Sequence, residues 1–138
     1  MRSDLARVPA LDADALAELS FHSRLFLTLS APTCRYTIYY FLGREASTAT
    51  SDELITGIET IIAAVDDQPS SVSEHELRSL VVDRTIPYIV SLDAFDYDSR
   101  TQLIRYHHHP TLEEYAEHAA MQELSPNFLH QRPFSSTD

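Results

Sequence analysis

The feature of this sequence that most narrows its fold is a change of hydrophobic period late in the chain. Up to Leu92 the apolar residues recur at helical spacing. From Phe95 they alternate, first in Phe95-Asp96-Tyr97-Asp98 and again in Leu103-Ile104-Arg105-Tyr106, the pattern of strands with one covered face. Asp98-Ser99-Arg100-Thr101 supplies turn-forming residues between them. Pro110 then reopens a helical pattern, with Leu112, Tyr115, Ala116, Ala119 and Met121 on one side. The chain thus reads as helices, one two-stranded hairpin, and a last helix.

The helices before the hairpin are marked by start and stop signals. From Asp12 to Leu29 the spacing of Leu16, Leu19, Leu25, Phe26 and Leu29 predicts one broken helix or two short ones, with Asp12 or Asp14 as a cap. Pro32 suits the first position of a further helix that stops at Gly43. Thr50-Ser51-Asp52-Glu53 is a capping box, followed by the apolar face of Leu54, Ile55, Ile58, Ile61, Ile62 and Val65. A polar linker at 66–71 separates it from a second capping box, Ser73-Glu74-His75-Glu76, stapled by Val72 and Leu77. Pro87 removes a backbone donor and predicts a kink or a break in that helix. Residues 1–11 read as a flexible lead-in and 125–138 as a flexible tail, leaving one domain over 12–124.

Charge composition is unusual. Twenty-one acidic residues face ten basic ones, for a formal charge of -11, and every basic residue is Arg. An acidic, lysine-free chain points to a halophile, because at 1 M salt the Debye length falls to about 3 Å and self-repulsion is screened. In dilute buffer such a chain would bind nucleic acid poorly; in molar salt that objection weakens. The single cysteine, Cys34, excludes an internal disulfide framework and Cys-rich zinc sites. No apolar run has the roughly 18–20 residues that cross a bilayer, and no signal peptide opens the chain, so the expected location is the cytoplasm with no membrane partner.

Three helices followed at once by a hairpin is the order of a winged helix-turn-helix domain, whose third helix enters the DNA major groove while the hairpin touches the backbone. Several segments sharpen this. Leu29-Ser30-Ala31-Pro32-Thr33-Cys34-Arg35-Tyr36, Ile86-Pro87-Tyr88-Ile89, Phe95-Asp96-Tyr97-Asp98 and Tyr106-His107-His108-His109-Pro110-Thr111-Leu112-Glu113-Glu114 resemble, in order and spacing, the landmarks of a small winged-helix family widespread in halophilic archaea, mostly uncharacterised transcriptional regulators. The resemblance covers roughly residues 20–118. It implies a mainly α fold with a small β-hairpin, a winged helix-turn-helix carrying extra N- and C-terminal helices. The chain departs from that family at Thr33 and Cys34, where arginines are common, at Asp83 and Thr85, where histidines are common, and at Asp93-Ala94, where a Gly usually turns helix into wing.

The candidate DNA-binding residues are the polar side chains of the third helix and the wing. His75, Arg78, Ser79 and Arg84 face outward on the former, Arg being able to hold guanine O6 and N7 together. Arg100 and Arg105 on the hairpin, and Arg35 at a helix start, suit phosphates. The plainer reading pairs these arginines with neighbouring acids such as Glu76 and Asp83. His107-His108-His109 with Glu114 and His118 suggests a metal at first sight, but consecutive strand residues point to opposite sides, so neither metal nor cofactor is expected. Cys34 reads as a small core residue. Tyr36, Tyr39, Tyr40, Tyr88 and Tyr97 read as core or subunit interface rather than base-stacking groups. With no Gly-rich phosphate loop, Gly-x-Ser-x-Gly or His-Glu-x-x-His, an enzyme is not expected.

The expectation is therefore a transcriptional regulator bound to double-stranded DNA as a homodimer, the surplus apolar faces at 12–29 and 111–123 motivating the dimer. The alternative is a protein-interaction module whose acidic third helix docks on a basic partner or imitates DNA.

Overall fold

Both capping boxes start helices. In the computed structural model, which describes residues 13–65 and 73–124, the Thr50 hydroxyl accepts from the Glu53 N–H (3.2 Å) and the Glu53 carboxylate accepts from the Thr50 N–H (2.9 Å). Ser73 and Glu76 make the same reciprocal pair at 3.1 Å in both directions. Each box satisfies two orphan donors of a first helical turn. The lead-in, the linker, the tail, Asp12 and Val72 lie outside the described residues.

The helices are α1 (Ala13–Ala17), α2 (Phe21–Ser30), α3 (Pro32–Leu42), α4 (Ser51–Val65), α5 (Glu74–Leu80), α6 (Ile86–Val90) and α7 (Pro110–Glu123). The segment from Asp12 to Leu29 resolves as two helices, and the break is fixed by Ser20, whose hydroxyl accepts from the Ser23 N–H at the start of α2. Asp14 lies inside the first turn of α1.

Ahead of Pro87 the regular α-helix is interrupted. α5 passes into a π turn (Val81–Thr85) and on into α6, the Ile86 N–H bonding the Val81 carbonyl five residues back. A proline has no N–H to give and its ring crowds the carbonyl four residues back. One widened turn just before it absorbs both demands, as single π turns inside α-helices do.

The hairpin strands are where the alternation places them, and a third strand joins them. β1 (Thr48–Thr50), β2 (Phe95–Asp98) and β3 (Leu103–Tyr106) form an antiparallel sheet in the order β1-β3-β2. β1 was not expected, because three residues are too few for alternation to register. It forms because β3 has a free edge: Thr48, Ala49 and Thr50 pair with Arg105, Ile104 and Leu103, and the Tyr106 N–H bonds the Ser47 carbonyl at 2.7 Å. On the covered face Phe95 opposes Tyr106 and Tyr97 opposes Ile104; on the open face Asp96 opposes Arg105.

α3 is the centre of the molecule, packed by α2, α4, α6, α7 and the π turn. Thr33, Cys34 and Tyr36 through Phe41 are all buried, and burial pushes the Cys34 thiol up to about 12, the behaviour of a core residue. Tyr36, Tyr39, Tyr40 and Tyr88 are core residues and Tyr97 is half-buried. The Thr33 and Thr85 hydroxyls meet at 2.7 Å inside this core, tying α3 to the π turn. α7 buries Leu112, Ala116 and Ala120. Tyr115 and Met121, expected on that same side, are exposed, because the i, i+4 stripe that meets α3 starts at Leu112 and passes between them. Among the described residues no helix is long and apolar enough to cross a membrane.

Candidate nucleic-acid interface

The helix running from Glu74 to Val90 and the hairpin are positioned by α4. Ser51, buried at the start of α4, donates its N–H to the Gln102 carbonyl (2.9 Å) and its hydroxyl to Gln102 Oε1 (2.8 Å). That fixes the hairpin turn, in which Gln102 takes a left-handed φ of 59° and its N–H bonds the Asp98 carbonyl. The next residue, Asp52, reaches across to α5, its Oδ1 lying 2.6 Å from Arg78 Nη2. Turn, α4 start and α5 therefore form one contiguous surface.

The sequence-predicted residues other than Arg35 lie on this same helix and hairpin. His75, Ser79 and Arg84 are exposed and Arg78 is half-exposed. Arg78 is held by Asp52 and, at 3.4 Å, by Glu74. The hydrogen bond it donates to Asp52 leads the effects that raise its pKa above the usual guanidinium value. The predicted acid partners were Glu76 and Asp83; instead Glu76 closes the capping box and Asp83 accepts from the Ser79 hydroxyl at 3.2 Å. Arg100 is exposed at the hairpin tip, its N–H bonded to Asp98 Oδ1 (2.9 Å) and its guanidinium 3.8 Å from Asp98 Oδ2. Arg105 projects from the open face of β3 and makes no ion pair within 4.0 Å among the described residues. Glu74, Glu76 and Asp83 lie on the same helix as Arg78 and Arg84, and Asp96 and Asp98 on the same hairpin as Arg100 and Arg105, so the acids outnumber the arginines there.

Arg35 stands apart. Its Nε and Nη2 each bond a Glu123 carboxylate oxygen at 2.7 Å, and Nη1 donates to the Leu29 carbonyl at 2.7 Å. Tyr39 and Tyr36 also donate to Glu123, at 3.0 and 3.4 Å. Burial pushes the Glu123 carboxyl up, but the hydrogen bonds and charge of Arg35 outweigh it and hold the group below the usual carboxylate value. Arg35 thus fastens α7 to α3, with each of its three nitrogens engaged.

The three consecutive histidines diverge. His107 Nε2 pairs with Asp96 (2.5 Å), His108 Nδ1 with Glu113 (3.1 Å), and His109 Nδ1 accepts from the Leu112 N–H at the start of α7. His109 is also stacked on Phe21, 4.9 Å between ring centroids. Asp93, standing where a glycine was expected from the resemblance, adopts a left-handed φ of 63°, the conformation that glycine adopts at least cost.

Sequence reasoning missed Asp52, Gln102 and Glu123. Asp52 carried only the local signal of an acid in a first helical turn, and the other two are paired with residues 51 and 88 positions away, a separation that leaves no trace in periodicity. Comparison with protein-family models, curated proteins and solved structures returns no match.

Proposed function

We propose that this protein is a winged helix-turn-helix regulator that binds double-stranded DNA in a salt-rich cytoplasm, as a homodimer. The observation that carries the reading is the sheet order β1-β3-β2, with β1 between α3 and α4 and the α5–α6 helix running directly into the hairpin. In that reading α3, α4 and the α5–α6 helix are the three helices of the motif, the last presents His75, Arg78, Ser79 and Arg84 to the major groove, and Arg100 and Arg105 meet phosphates. Phe26 on α2 and Tyr115 on α7, both exposed with rings 6.1 Å apart, support a second copy on the side of the extra helices. The order and spacing of the landmark segments over residues 20–118, read in the sequence as a winged-helix resemblance, motivate the same reading.

The test is a gel-shift series in molar KCl against genomic fragments. Preferred fragments are expected; absence of any sequence preference at every salt concentration overturns the reading. Arg84→Ala is expected to relax base preference by about ten- to a hundredfold, the worth of one bidentate base contact, whereas Arg100→Ala lowers affinity equally for all sequences.

A second reading is favoured by one observation, the pairing of Arg78 with Asp52 and Glu74. On an acidic surface of this kind the same fold would dock on a basic protein, imitating DNA. Partners retained from a nuclease-treated lysate without DNA would favour it.

A further inference from the structure

We propose that Asp52 is a positioning residue that holds Arg78 against the start of α4 and competes with duplex DNA for it, so that removing the Asp52 carboxylate tightens binding through Arg78, most at low salt. The inference rests on the DNA-binding reading above. Asp52 is not needed for the helix cap, which Thr50 and Glu53 complete between themselves. Its carboxylate instead crosses to another helix and takes the Nη2 of Arg78 at 2.6 Å, the same nitrogen that Glu74 approaches.

Exposure decides how this pair responds to salt. The side chains of Arg78, Asp52 and Glu74 are 36%, 75% and 69% exposed, within reach of mobile ions, and surface pairs of this kind are weak and screened. The Arg35–Glu123 pair, at 19% and 21%, stays closed under the same conditions. An arginine-rich interface loses affinity as salt rises, because it releases condensed counterions. Here Arg78 is also withheld by Asp52, and Glu74, Glu76 and Asp83 repel phosphates over a Debye length of roughly 8–10 Å at about 0.1–0.15 M salt. Near 1 M that length shrinks to about 3 Å, so the repulsion is confined to contact range and the exposed Arg78–Asp52 pair competes less strongly with a phosphate or a guanine edge.

The experiment is fluorescence anisotropy with a fluorescein-labelled duplex of 30 base pairs, carrying the sequence most enriched from a randomised pool by the wild-type protein in 2 M KCl. Wild type, Asp52→Asn, Arg78→Ala and the double variant are compared from 0.2 to 2 M KCl, with circular dichroism at each salt to verify folding. Asp52→Asn is expected to bind roughly two- to five-fold more tightly at 0.2 M and equally at 2 M, and the gain is expected to vanish in the Arg78→Ala background. Parallel salt curves for wild type and Asp52→Asn overturn the proposal, as does a gain that survives Arg78→Ala, which would mark a general charge effect. If no sequence is enriched at any salt, the DNA-binding reading fails and takes this inference with it.

Discussion

Ser51 and Gln102 are joined twice, main chain to main chain at 2.9 Å and side chain to side chain at 2.8 Å, although 51 residues separate them. One end of the link is the first residue of α4 and the other is the strained corner of the hairpin. The orientation of the hairpin relative to the helices therefore depends on a residue whose own backbone is unfavourable.

Gln102 carries opposing effects that substitution can separate. A non-glycine residue at φ 59° costs about 1 kcal/mol relative to glycine, and the hydrogen bond from Ser51 returns about the same. Gln102→Gly is expected to leave stability nearly unchanged. Gln102→Val, β-branched and without an acceptor, is expected to lose about 2–3 kcal/mol. Urea midpoints of the two variants check this, and amide exchange in β2 and β3 should accelerate only in the second.

Glu123 makes the docking of α7 dependent on pH. Its folded pKa lies below the usual 4.5, so the group contributes stability that is present above about pH 4.5 and is lost as pH falls through the lower folded value. Glu123→Gln is expected to lose about 2 kcal/mol at pH 7. The difference between variant and wild type should narrow as pH falls from 4.5 through the lower folded value and wild type itself takes up the proton. Urea unfolding at pH 7 and at steps below pH 4.5 measures both.

Gly57 is expected to resist the helix-favouring change to alanine. In an open helix Gly→Ala gains up to about 1 kcal/mol. Here an alanine Cβ would fall on the Tyr40 ring, which is buried and has its hydroxyl bonded to Arg44 at 2.7 Å. Gly57→Ala is therefore expected to lose about 1–3 kcal/mol through overpacking, and Tyr40→Leu in the same chain is expected to restore part of it. Thermal unfolding of the single and double variants decides the sign.

How far the fold could be read from the sequence followed the range of the interactions. Thr50–Glu53 and Ser73–Glu76 act within one turn, and the alternation at Phe95–Asp98 and Leu103–Tyr106 within one strand, so each was legible. β1 was not, because a three-residue strand is defined by the edge it joins. The π turn was not, because Pro87 states only that a donor is missing and the rest of the helix decides how the chain accommodates it. The candidate interface was legible as residue types on an outward face, His75, Arg78, Ser79 and Arg84. The partner of Arg78 was not, since Asp52 lies on a different helix.

The sequence by itself determined where α4, α5 and the two hairpin strands begin, which residues of their apolar faces avoid water, and that the chain is acidic and lysine-free. These follow from hydrogen bonds and hydrophobic periodicity a few residues in range. Only the tertiary structure decided that Arg35 closes on Glu123, that Gln102 anchors the hairpin to Ser51, and that Asp52 faces Arg78. Each of these is a contact between elements, and packing around α3, not chain proximity, sets which charges and donors meet.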